Sequence, residues 1–394
     1  MTIEMLWEQD DPTDVLRNRF GFADAEAVGD WVRSTVERHW RVRVGPPERM
    51  VMSDSNALAW VRGGDERLLV KWSVAPDRFE RLAFTSDLTA WLGAQGLPVS
   101  TPVPTLEGEV QVTDDGISLG LQRVIDGAHL DVEDADQVRA AGATLARLHD
   151  ALRSCPLHDS RPGVLSAPAR LTDQIAGWIA SEPPSLSQTA RDVLWRMLER
   201  APADLPPLQI VHGDYRAANI LCVGTTVVGV LDFEELRLDH RIVEVARSAV
   251  MLGTLFRDWG PVPVSVRQQF LDGYQTVRAL TDEELHWWPV LVLWYSLALV
   301  PPGDDPTGWG RAAIEQFETA DGSSAGSYRS TVPVVFPPRH QRKCDHEAGP
   351  ADDWHQVTDR RRTCQIQNRK EQRECPEDDR DDEPPADPAP GPLI

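Results

Sequence analysis

Residues 211–221 read VHGDYRAANIL, and residues 231–234 read LDFE. The segment between them consists of two short apolar runs on either side of a Gly-Thr-Thr turn, which predicts a β-hairpin. Because a hairpin brings its outer ends together, Asn219 and Asp232 are expected side by side at its open end. Asp214 then lies a short loop away from both.

The chemistry of these three side chains points to a magnesium-dependent reaction. One amide and two carboxylates gathered at a loop suit magnesium, a hard cation that shares its remaining positions with substrate phosphates and water. Phosphoryl transfer also requires a carboxylate that is free of the metal, orients an attacking hydroxyl and accepts its proton. The stretch from 214 to 232 supplies all three groups and therefore predicts phosphoryl transfer.

The composition limits the class of protein. With 394 residues and 41% hydrophobic content, the chain can bury one large core or two modest ones without disulfide or metal staples. Its formal charge of −22 argues against a nucleic-acid binder, because phosphate contacts require a concentrated basic surface. Most of that charge, −18, falls in residues 1–320, where it favours a cationic small-molecule ligand or serves solubility alone.

Several features predict the cellular compartment. The longest apolar run, residues 289–300, is shorter than the roughly 20 residues of a membrane-spanning helix, and the N-terminus is acidic where a signal peptide is basic and then apolar. Of the five cysteines, only Cys155 and Cys222 precede residue 320, which is typical of a reducing compartment. We therefore expect a cytoplasmic protein that does not bind membranes.

The chain changes character at residue 321. Residues 1–320 alternate apolar segments of helical or strand period with Pro and Gly, as a globular protein does. Residues 321–394 turn to Ser and Gly, then to mixed charge and Pro, which predicts a disordered low-complexity tail. The Cys and His residues of this tail lack the spacing of a zinc site.

The first third of the globular part is rich in predicted strands. A helix is predicted at about residues 28–40, followed by three antiparallel strands between residues 49 and 72. A second helix is predicted at 77–95, with further strand segments at 110–112 and 118–125.

Beyond Gly127 the apolar period becomes helical. Helices are predicted at residues 133–153, 168–181, 185–200, 242–257, 264–278 and 282–299. A sheet-rich part joined to a helix-rich part predicts an α+β protein of two lobes. Small ligands usually bind in the cleft between such lobes.

The pattern H-G-D-x-x-x-x-N followed by D-F-E resembles the catalytic and metal loops of the aminoglycoside phosphotransferase family, which has a protein-kinase-like fold. The resemblance implies a small antiparallel-sheet N-lobe at residues 45–126, which carries the nucleotide-binding sheet. It implies a mostly helical C-lobe with the catalytic and metal loops at residues 127–320. Residues 1–44 then form an N-terminal helical segment that packs on the N-lobe.

On that resemblance, residues of the two loops take definite roles. Asp214 corresponds to the catalytic base, Asn219 and Asp232 to the magnesium ligands, and His212 to the structural histidine of the catalytic loop. The L-x-x-L-H stretch that ends at His149 also resembles the family, and its histidine is expected to pack or cap rather than to react.

The same resemblance implies the nucleotide-binding residues. Lys71 closes an apolar strand, where its charge is costly unless it meets an anion in a cleft, and it matches the family lysine that contacts nucleotide phosphates. The turn that matches the phosphate-covering loop has no glycine and contains Ser53, Ser55 and Asn56. The nucleotide base is expected near Gln122, Val124 and Ile125.

Acidic residues are expected to support this site. The helix position that spacing predicts for an acidic partner of Lys71 is Thr85, so Glu80 is expected to pair with the lysine, with Asp87 as the alternative. The supporting acids expected in the metal loop and in the segment after it are Glu234 and Glu244.

Our preferred interpretation is a small-molecule kinase that uses ATP or GTP together with Mg²⁺. Asp214 would activate a substrate hydroxyl, while Lys71 and the bound magnesium neutralise the transferring phosphoryl group. The acidic charge favours a cationic acceptor such as an aminoglycoside or a related antibiotic. The expected contacts for its amines are Glu234, Glu235, Asp239 and Asp272.

Two alternatives stay open at this point. The same scaffold carries metabolic kinases, so the acceptor is alternatively an amino alcohol or a sugar, as in homoserine- or choline-kinase-like enzymes. The uncharged Thr85 also allows a catalytically weak nucleotide-binding protein. In each case the expected partner is a small molecule, and the chain is expected to be a monomer or a weak homodimer.

Overall fold

The computed structural model of the protein describes residues 1–6, 8–157, 163–183, 186–203, 205–255 and 259–320. The predicted tail, residues 321–394, lies outside the described residues. None of the helices in the described part of the chain combines the length and the apolar character that crossing a bilayer requires.

A mostly antiparallel sheet forms the first part of the fold. Its strands are β1 (Thr2–Met5), β2 (Arg49–Ser53), β3 (Asn56–Gly63), β4 (Glu66–Ser73), β5 (Val112–Asp114) and β6 (Ile117–Arg123). Their spatial order is β1-β2-β3-β4-β6-β5, and only the β1–β2 pair is parallel within this sheet. The three strands predicted between residues 49 and 72 are β2, β3 and β4.

The two faces of this sheet have different coverings because side chains alternate along each strand. Val70 and Trp72 of β4 lie in a hydrophobic core with helices α1 (Pro12–Asn18) and α2 (Ala25–Trp40). Lys71 lies on the opposite face, level with Gly120 of β6. The N-terminal helices therefore close one face of the sheet and leave the lysine face open to the rest of the protein.

Helix α3 (Phe79–Ala94) connects this sheet to the second part of the fold. Its buried residues Phe84, Leu88 and Leu92 belong to the hydrophobic core of the helical part, not to the core beneath α1 and α2. Another side of the same helix lines a cavity against the open sheet face, through Leu82, Thr85 and Ser86. Helix α3 thus sits between the two cores and contacts the cleft.

The second part is mostly helical. Its helices are α4 (Ala135–Arg153), α5 (Leu171–Ala180), α6 (Gln188–Arg200), α7 (Arg241–Met251), α8 (Val264–Gln275), α9 (Asp282–Ala298) and α10 (Trp309–Ala320). Its short strands are β7 (Ala128–His129), β8 (Gln209–Val211), β9 (Ile220–Val223), β10 (Thr226–Val230) and β11 (Arg237–Asp239). Strands β10, β9 and β7 form one small sheet, and β11 pairs with β8.

Helices α4 and α8 cross closely at two glycines. A Cβ atom on Gly142 would lie 2.0 Å from the carbonyl oxygen of Phe270, and one on Gly273 would lie 2.1 Å from that of Arg139. Neither position accepts a side chain without separating the helices. This crossing fixes α4 beneath the small strands that carry the candidate site.

Several segments differ from the sequence predictions. Residues 1–44, expected as a helical segment that packs on the N-lobe, contain α1 and α2 but begin with β1, which adds to the edge of the sheet beside β2. The helix predicted at 242–257 ends at Met251, and the carbonyl of Leu252 accepts the backbone amide of Ala217 instead; residues 256–257 of that prediction lie outside the described residues. The strand predicted at 110–112 lies two residues later, at Val112–Asp114.

Candidate active site

The predicted hairpin is present and brings its two ends together. In the antiparallel pairing of β9 with β10, Ile220 is opposite Val230. The ladder continues beyond the strands, since the Leu231 amide donates to the Asn219 carbonyl at 2.9 Å. Asn219 and Asp232 therefore lie at the open end of the hairpin, as its sequence predicts.

Asp214 is buried beside this open end and is surrounded by donors. Its Oδ2 accepts hydrogen bonds from Arg216 Nε at 2.9 Å and from Asn219 Nδ2 at 2.9 Å. Its Oδ1 lies 3.5 Å from Arg247 Nη1. Burial favours the neutral acid, but the two guanidinium groups outweigh it and hold the pKa of Asp214 below its ordinary value. The side chain is therefore an ionised carboxylate at neutral pH.

Asn219 and Asp232 supply the other side-chain oxygen atoms at the open end of the hairpin. The Asn219 side-chain nitrogen donates to both the backbone carbonyl and the carboxylate of Asp214, which leaves its Oδ1 as the atom available to a cation. The Asp232 side chain is 45% exposed and its backbone is left-handed, with φ 61°. Desolvation and the nearby Glu234 and Asp214 carboxylates raise the pKa of Asp232 to about 6, against the opposing effect of Lys71.

This donor set fits magnesium better than a metal held by the protein alone. The described residues contain no group of three or more His, Cys, Asp or Glu side chains that could hold a metal ion. One carboxylate and one amide oxygen, next to an open cleft, match a cation that keeps waters and takes substrate phosphates as its other ligands. The residues that could hold it are Asp232 and Asn219.

Lys71 reaches across the cleft to residues 232–235, the segment that corresponds to the metal loop expected from the sequence. Its Nζ forms an ion pair with Glu234 Oε1 and lies 3.9 Å from Asp232 Oδ1. Burial disfavours the ammonium, but the two carboxylates outweigh it and raise the pKa of Lys71 above its ordinary value. The four central residues, Asp214, Asn219, Asp232 and Lys71, are thus brought together.

The expected partner of Lys71 is not the one that the structure provides. Glu80 is exposed in the first turn of α3, and Lys71 forms its ion pairs with Glu234 and Asp232 instead. The reason lies next to Glu80. The Arg81 guanidinium donates to the backbone carbonyl of Glu234 at 2.9 and 3.0 Å, which draws the metal loop toward α3 and the lysine.

The turn expected to cover phosphates joins β2 to β3. Ser53 and Asn56 pair across it, and the Ser55 carbonyl accepts the Val74 amide at 2.9 Å. Asp54 has a left-handed backbone with φ 43°. The Asn56 side-chain nitrogen donates to Glu234 Oε2 at 3.1 Å, so this turn contacts the metal loop directly.

The residues expected near the nucleotide base lie in different surroundings. Gln122 lines the cavity that also contains Lys71. The amide of Val124 donates to the Arg67 carbonyl at 3.0 Å and is therefore already used within the protein. The side chain of Ile125 packs over Gly229 of β10.

His212 joins the catalytic loop to the metal loop. Its Nδ1 accepts the Asp214 amide at 3.2 Å, so its Nε2 carries the proton and donates to the Leu231 carbonyl at 2.9 Å. Burial lowers the pKa of His212 and favours this neutral tautomer. Its ring lies against Phe233, with centroids 4.5 Å apart. These contacts place it in a structural position rather than a reactive one.

Glu244 of α7 holds the catalytic loop from beneath. Its carboxylate accepts the backbone amides of His212, at 3.0 Å, and Gly213. The same carboxylate accepts a hydrogen bond from His149 Nε2 at 2.7 Å. Burial favours the neutral acid, but the hydrogen bond from His149 and nearby positive charge, including that of Arg237, outweigh it and lower the pKa of Glu244 to about 2.

The contact with His149 extends this support through a buried polar network. His149 Nδ1 lies 2.9 Å from the Tyr274 hydroxyl, which also accepts a hydrogen bond from Arg241. Arg241 in turn forms a buried ion pair with Glu284, whose carboxylate accepts the backbone amide of Thr281 at 2.8 Å. The sequence predicts a packing or capping histidine here, but it does not reveal these polar partners.

The acidic residues expected to bind acceptor amines are not gathered around Asp214. Asp239 is buried and pairs with Arg237 at 3.1 Å. Asp272 is exposed on α8, where it accepts the side-chain amide of Gln268, and Glu235 is exposed in the metal loop.

Arginines lie next to Asp214 instead. Arg216 and Arg247 both contact the Asp214 carboxylate, and Arg216 also lies over the ring of Trp259. Sequence reasoning missed both. The position of Arg216 within the VHGDYRAAN motif was the available signal, whereas Arg247 reaches the base only through the docking of α7.

The chain matches the model of a known protein family and has relatives among characterised sequences. A profile of the phosphotransferase enzyme family matches residues 53–288, more than half of the chain. Sequence relatives include the homoserine kinase of Agrobacterium fabrum, 28% identical over 212 residues, and that of Phenylobacterium zucineum, 26% identical over 241 residues. The first match covers 53% of this chain and 64% of its relative, and the second covers 61% and 73%. The chain therefore spans slightly less than two thirds of the Agrobacterium enzyme.

Solved structures show the fold. The apoenzyme of a macrolide 2′-phosphotransferase from Brachybacterium faecium superposes with a TM-score of 0.50 and 17% sequence identity. The superposition covers 76% of this chain and 100% of that one. This chain therefore has the α+β, kinase-like fold, with an antiparallel-rich sheet followed by a helical part.

Proposed function

We propose that this chain, which belongs to the phosphotransferase enzyme family, is a kinase that transfers the γ-phosphoryl group of ATP or GTP to a hydroxyl of a small molecule. One observation carries the proposal. Asp214 accepts a hydrogen bond from Asn219, Lys71 lies at ion-pair distance from Asp232, and the Asp214 and Asp232 carboxylates are close enough to interact electrostatically. This is the set that phosphoryl transfer requires.

In this proposal Asp214 orients the acceptor hydroxyl and accepts its proton. The bonds from Arg216 and Asn219 fix the carboxylate in one orientation and keep it ionised. A weakly basic carboxylate is sufficient, because the transition state of phosphoryl transfer is loose and most of the catalysis is positioning and electrostatics.

The proposed cation site consists of the Asp232 carboxylate and Asn219 Oδ1. A magnesium ion held by these two residues would supply positive charge that offsets the negative charge of the nucleotide phosphates. Lys71 supplies a second positive charge from the sheet side of the cleft. His212, Glu234 and Glu244 hold the loops that carry these groups.

We assign nucleotide binding to residues 45–126 and acceptor chemistry to residues 127–320. The phosphates would lie under the turn with Ser53, Ser55 and Asn56, and the base near Gln122, Val124 and Ile125. The cavity that Asn56 and Gln122 line together with Lys71 supports this assignment.

For the acceptor we propose a hydroxylated metabolite with a carboxylate, of which homoserine is the first candidate. The guanidinium groups of Arg216 and Arg247 lie beside the base, and Arg247 keeps 24% of its side chain exposed. Such groups bind a carboxylate well and repel a polycation. The homoserine kinase relatives favour the same acceptor. An aminoglycoside, favoured by the overall charge, is the second candidate.

We also propose that the protein acts in the cytoplasm, where ATP and GTP are available, as a monomer or weak homodimer. The interpretation as a catalytically weak protein loses its main support. It depended on the uncharged Thr85, and the ion pair with Glu234 gives Lys71 an acidic neighbour from another segment.

A coupled nucleotide-consumption assay with Mg²⁺ tests the proposal. Homoserine is compared with 3-aminopropan-1-ol, which lacks only the carboxylate, and with an aminoglycoside. Asp214→Asn should lower turnover about 10³-fold with little change in nucleotide affinity. Arg247→Ala should lower the preference for homoserine over 3-aminopropan-1-ol about tenfold. Near-normal turnover of the Asp214→Asn protein would refute the assigned base, and a marked preference for the aminoglycoside would refute the acceptor class.

A further inference from the structure

Building on the proposed function, we propose that Glu234 is the positioning residue of Lys71. It takes the role that a helix acid would play at the Thr85 position, and it couples the phosphate-binding lysine to the metal loop. Glu234 does not touch the reacting atoms in this proposal. It acts through the lysine.

The Glu234 carboxylate is held between two strands of the N-terminal sheet. One oxygen pairs with Lys71 of β4, and the other accepts a hydrogen bond from Asn56 of β3 at 3.1 Å. The Glu234 backbone carbonyl is fixed by two hydrogen bonds from Arg81 of α3. Glu234 therefore contacts both strands through its side chain and the helix through its backbone.

Helix α3 offers no acid of its own to this cavity. Its residues in the described cavity lining are Leu82, Thr85 and Ser86, none of them acidic. The Thr85 hydroxyl is buried and makes no hydrogen bond to any described residue. Thr85 thus occupies the position from which a longer acidic side chain would face the lysine, and Glu234 faces it from the other side.

The alternative partner, Asp232, cannot serve both purposes. Its carboxylate lies 3.9 Å from Lys71 Nζ, but it is also the carboxylate of the proposed magnesium site. If the lysine depended on Asp232 alone, cation binding would compete with lysine positioning. A second carboxylate two residues later removes that conflict, because Asp232 can face the cation while Glu234 holds the lysine.

This arrangement differs in its consequences from a helix-borne acid. Since Asp232 and Glu234 belong to one short loop, displacement of the loop moves the cation ligand and the lysine partner together. Nucleotide binding and cation binding should therefore be coupled through this loop. With a helix acid, displacement of the loop would leave the lysine partner in place, so only the direct contact of the cation with the phosphates would couple the two.

The test uses Glu234→Gln, Thr85→Glu, the double variant and Glu80→Gln in the full chain. Two readouts are taken: kcat/KM for ATP with the best acceptor, and ATP affinity by calorimetry with and without Mg²⁺. Glu234→Gln should lower kcat/KM about 10- to 100-fold and reduce the gain in ATP affinity that Mg²⁺ confers, whereas Glu80→Gln should change neither more than about twofold. The double variant should have a kcat/KM for ATP at least about fivefold higher than that of Glu234→Gln. The gain in ATP affinity that Mg²⁺ confers should stay as low in the double variant as in Glu234→Gln.

A cycle with Lys71→Ala separates positioning from a purely structural effect. If Glu234 acts through the lysine, Glu234→Gln adds little to the loss in the Lys71→Ala background. Fully additive losses, no recovery by Thr85→Glu, or a loss in Glu80→Gln instead would overturn the proposal. Unfolding curves identify a variant that fails to fold, and Glu234→Asp then replaces it, with the same expected cycle. Because calorimetry needs no acceptor, a wild-type protein without kinase activity would refute the proposed function while this inference is still tested.

Discussion

The two loops that flank the cleft are anchored in opposite ways. The catalytic loop, residues 211–219, is held by side chains from the interior, of which Glu244 is 1% exposed and His149 fully buried. The turn proposed to cover phosphates, residues 53–56, is held at Asp54 from the surface, where Arg19 is 34% exposed.

This difference indicates where the site must be rigid. Removing one partner of a buried, hydrogen-bonded charge costs roughly 3–5 kcal/mol, whereas an exposed ion pair contributes about 0–1 kcal/mol. In the proposed function, Asp214 must be placed to within a fraction of an ångström, but the turn over the phosphates must let a nucleotide enter. We infer that the fold concentrates its buried polar contacts on the first and leaves the second adjustable.

The largest loss of activity and stability is expected from Gly213→Ala in the catalytic loop. Gly213 has φ 87°, and a Cβ atom there would lie 2.0 Å from the Glu235 carbonyl oxygen. The metal loop must therefore move away from the base. We expect kcat to fall about 100-fold or more and unfolding free energy to fall by a few kcal/mol, measured by steady-state kinetics and urea unfolding.

Gly21→Ala is the matched control for that change. Gly21 has a similar φ of 79°, but no atom lies within 4 Å of the position that its Cβ atom would take. It should lose about 1 kcal/mol of stability from backbone strain and keep its turnover. Equal kinetic losses in the two variants would show that the close approach at Gly213 is irrelevant to the site.

The second test addresses the charge beneath the catalytic loop. The pKa of Glu244, lowered from 4.5 to about 2, means that its ionised form stabilises the fold above pH 4.5 and that this stabilisation is lost as the pH falls toward 2. The interval corresponds to about 3 kcal/mol. Glu244→Gln should therefore lose about that much unfolding free energy at pH 7, with most of the difference gone by about pH 3.

Unfolding by urea at several pH values measures this difference. Glu80→Gln, an exposed substitution of the same type in α3, should show no such pH-dependent gap. A constant gap between wild type and Glu244→Gln from pH 7 to about pH 3 would mean that the carboxylate charge does not anchor the loop. The anchoring of the catalytic loop by Glu244 would then not depend on the charge of its carboxylate.

The sequence predicts well whatever depends on neighbouring residues. The hairpin between Asn219 and Asp232 is local, so its apolar runs and turn determine that both residues lie at its open end. The lysine face of β4 likewise follows from the alternation of Leu68 to Trp72. Both features required only short-range geometry.

The rest depends on how distant elements dock. The partner of Lys71 could not be predicted, because it is set by Arg81 drawing the carbonyls of the metal loop toward α3. Arg247 reaches Asp214 only after α7 packs under the catalytic loop. The strand Thr2–Met5 is too short for a period to be visible, and it forms by pairing with β2.

The smallest effect is expected from removing Arg19, which holds the turn at residues 53–56 from the surface. Arg19 donates to the Asp54 carbonyl at 2.9 Å and pairs with Glu8, whose carboxylate accepts the Asp54 amide. Arg19→Ala should raise KM for ATP about two- to threefold, leave kcat unchanged and cost at most about 1 kcal/mol of stability.

The salt dependence of that effect distinguishes surface anchoring from a hidden buried role. An effect carried by exposed charges should nearly vanish at about 1 M salt, where screening acts within roughly 3 Å. Arg33→Ala, which removes an exposed pair with Asp30 on α2, is the control and should not change KM at any salt concentration. If Arg19→Ala instead lowered kcat tenfold regardless of salt, the phosphate-covering turn would be as rigidly required as the catalytic loop. The division between a fixed base and an adjustable turn would then fail, since both loops would need their anchors for the chemical step.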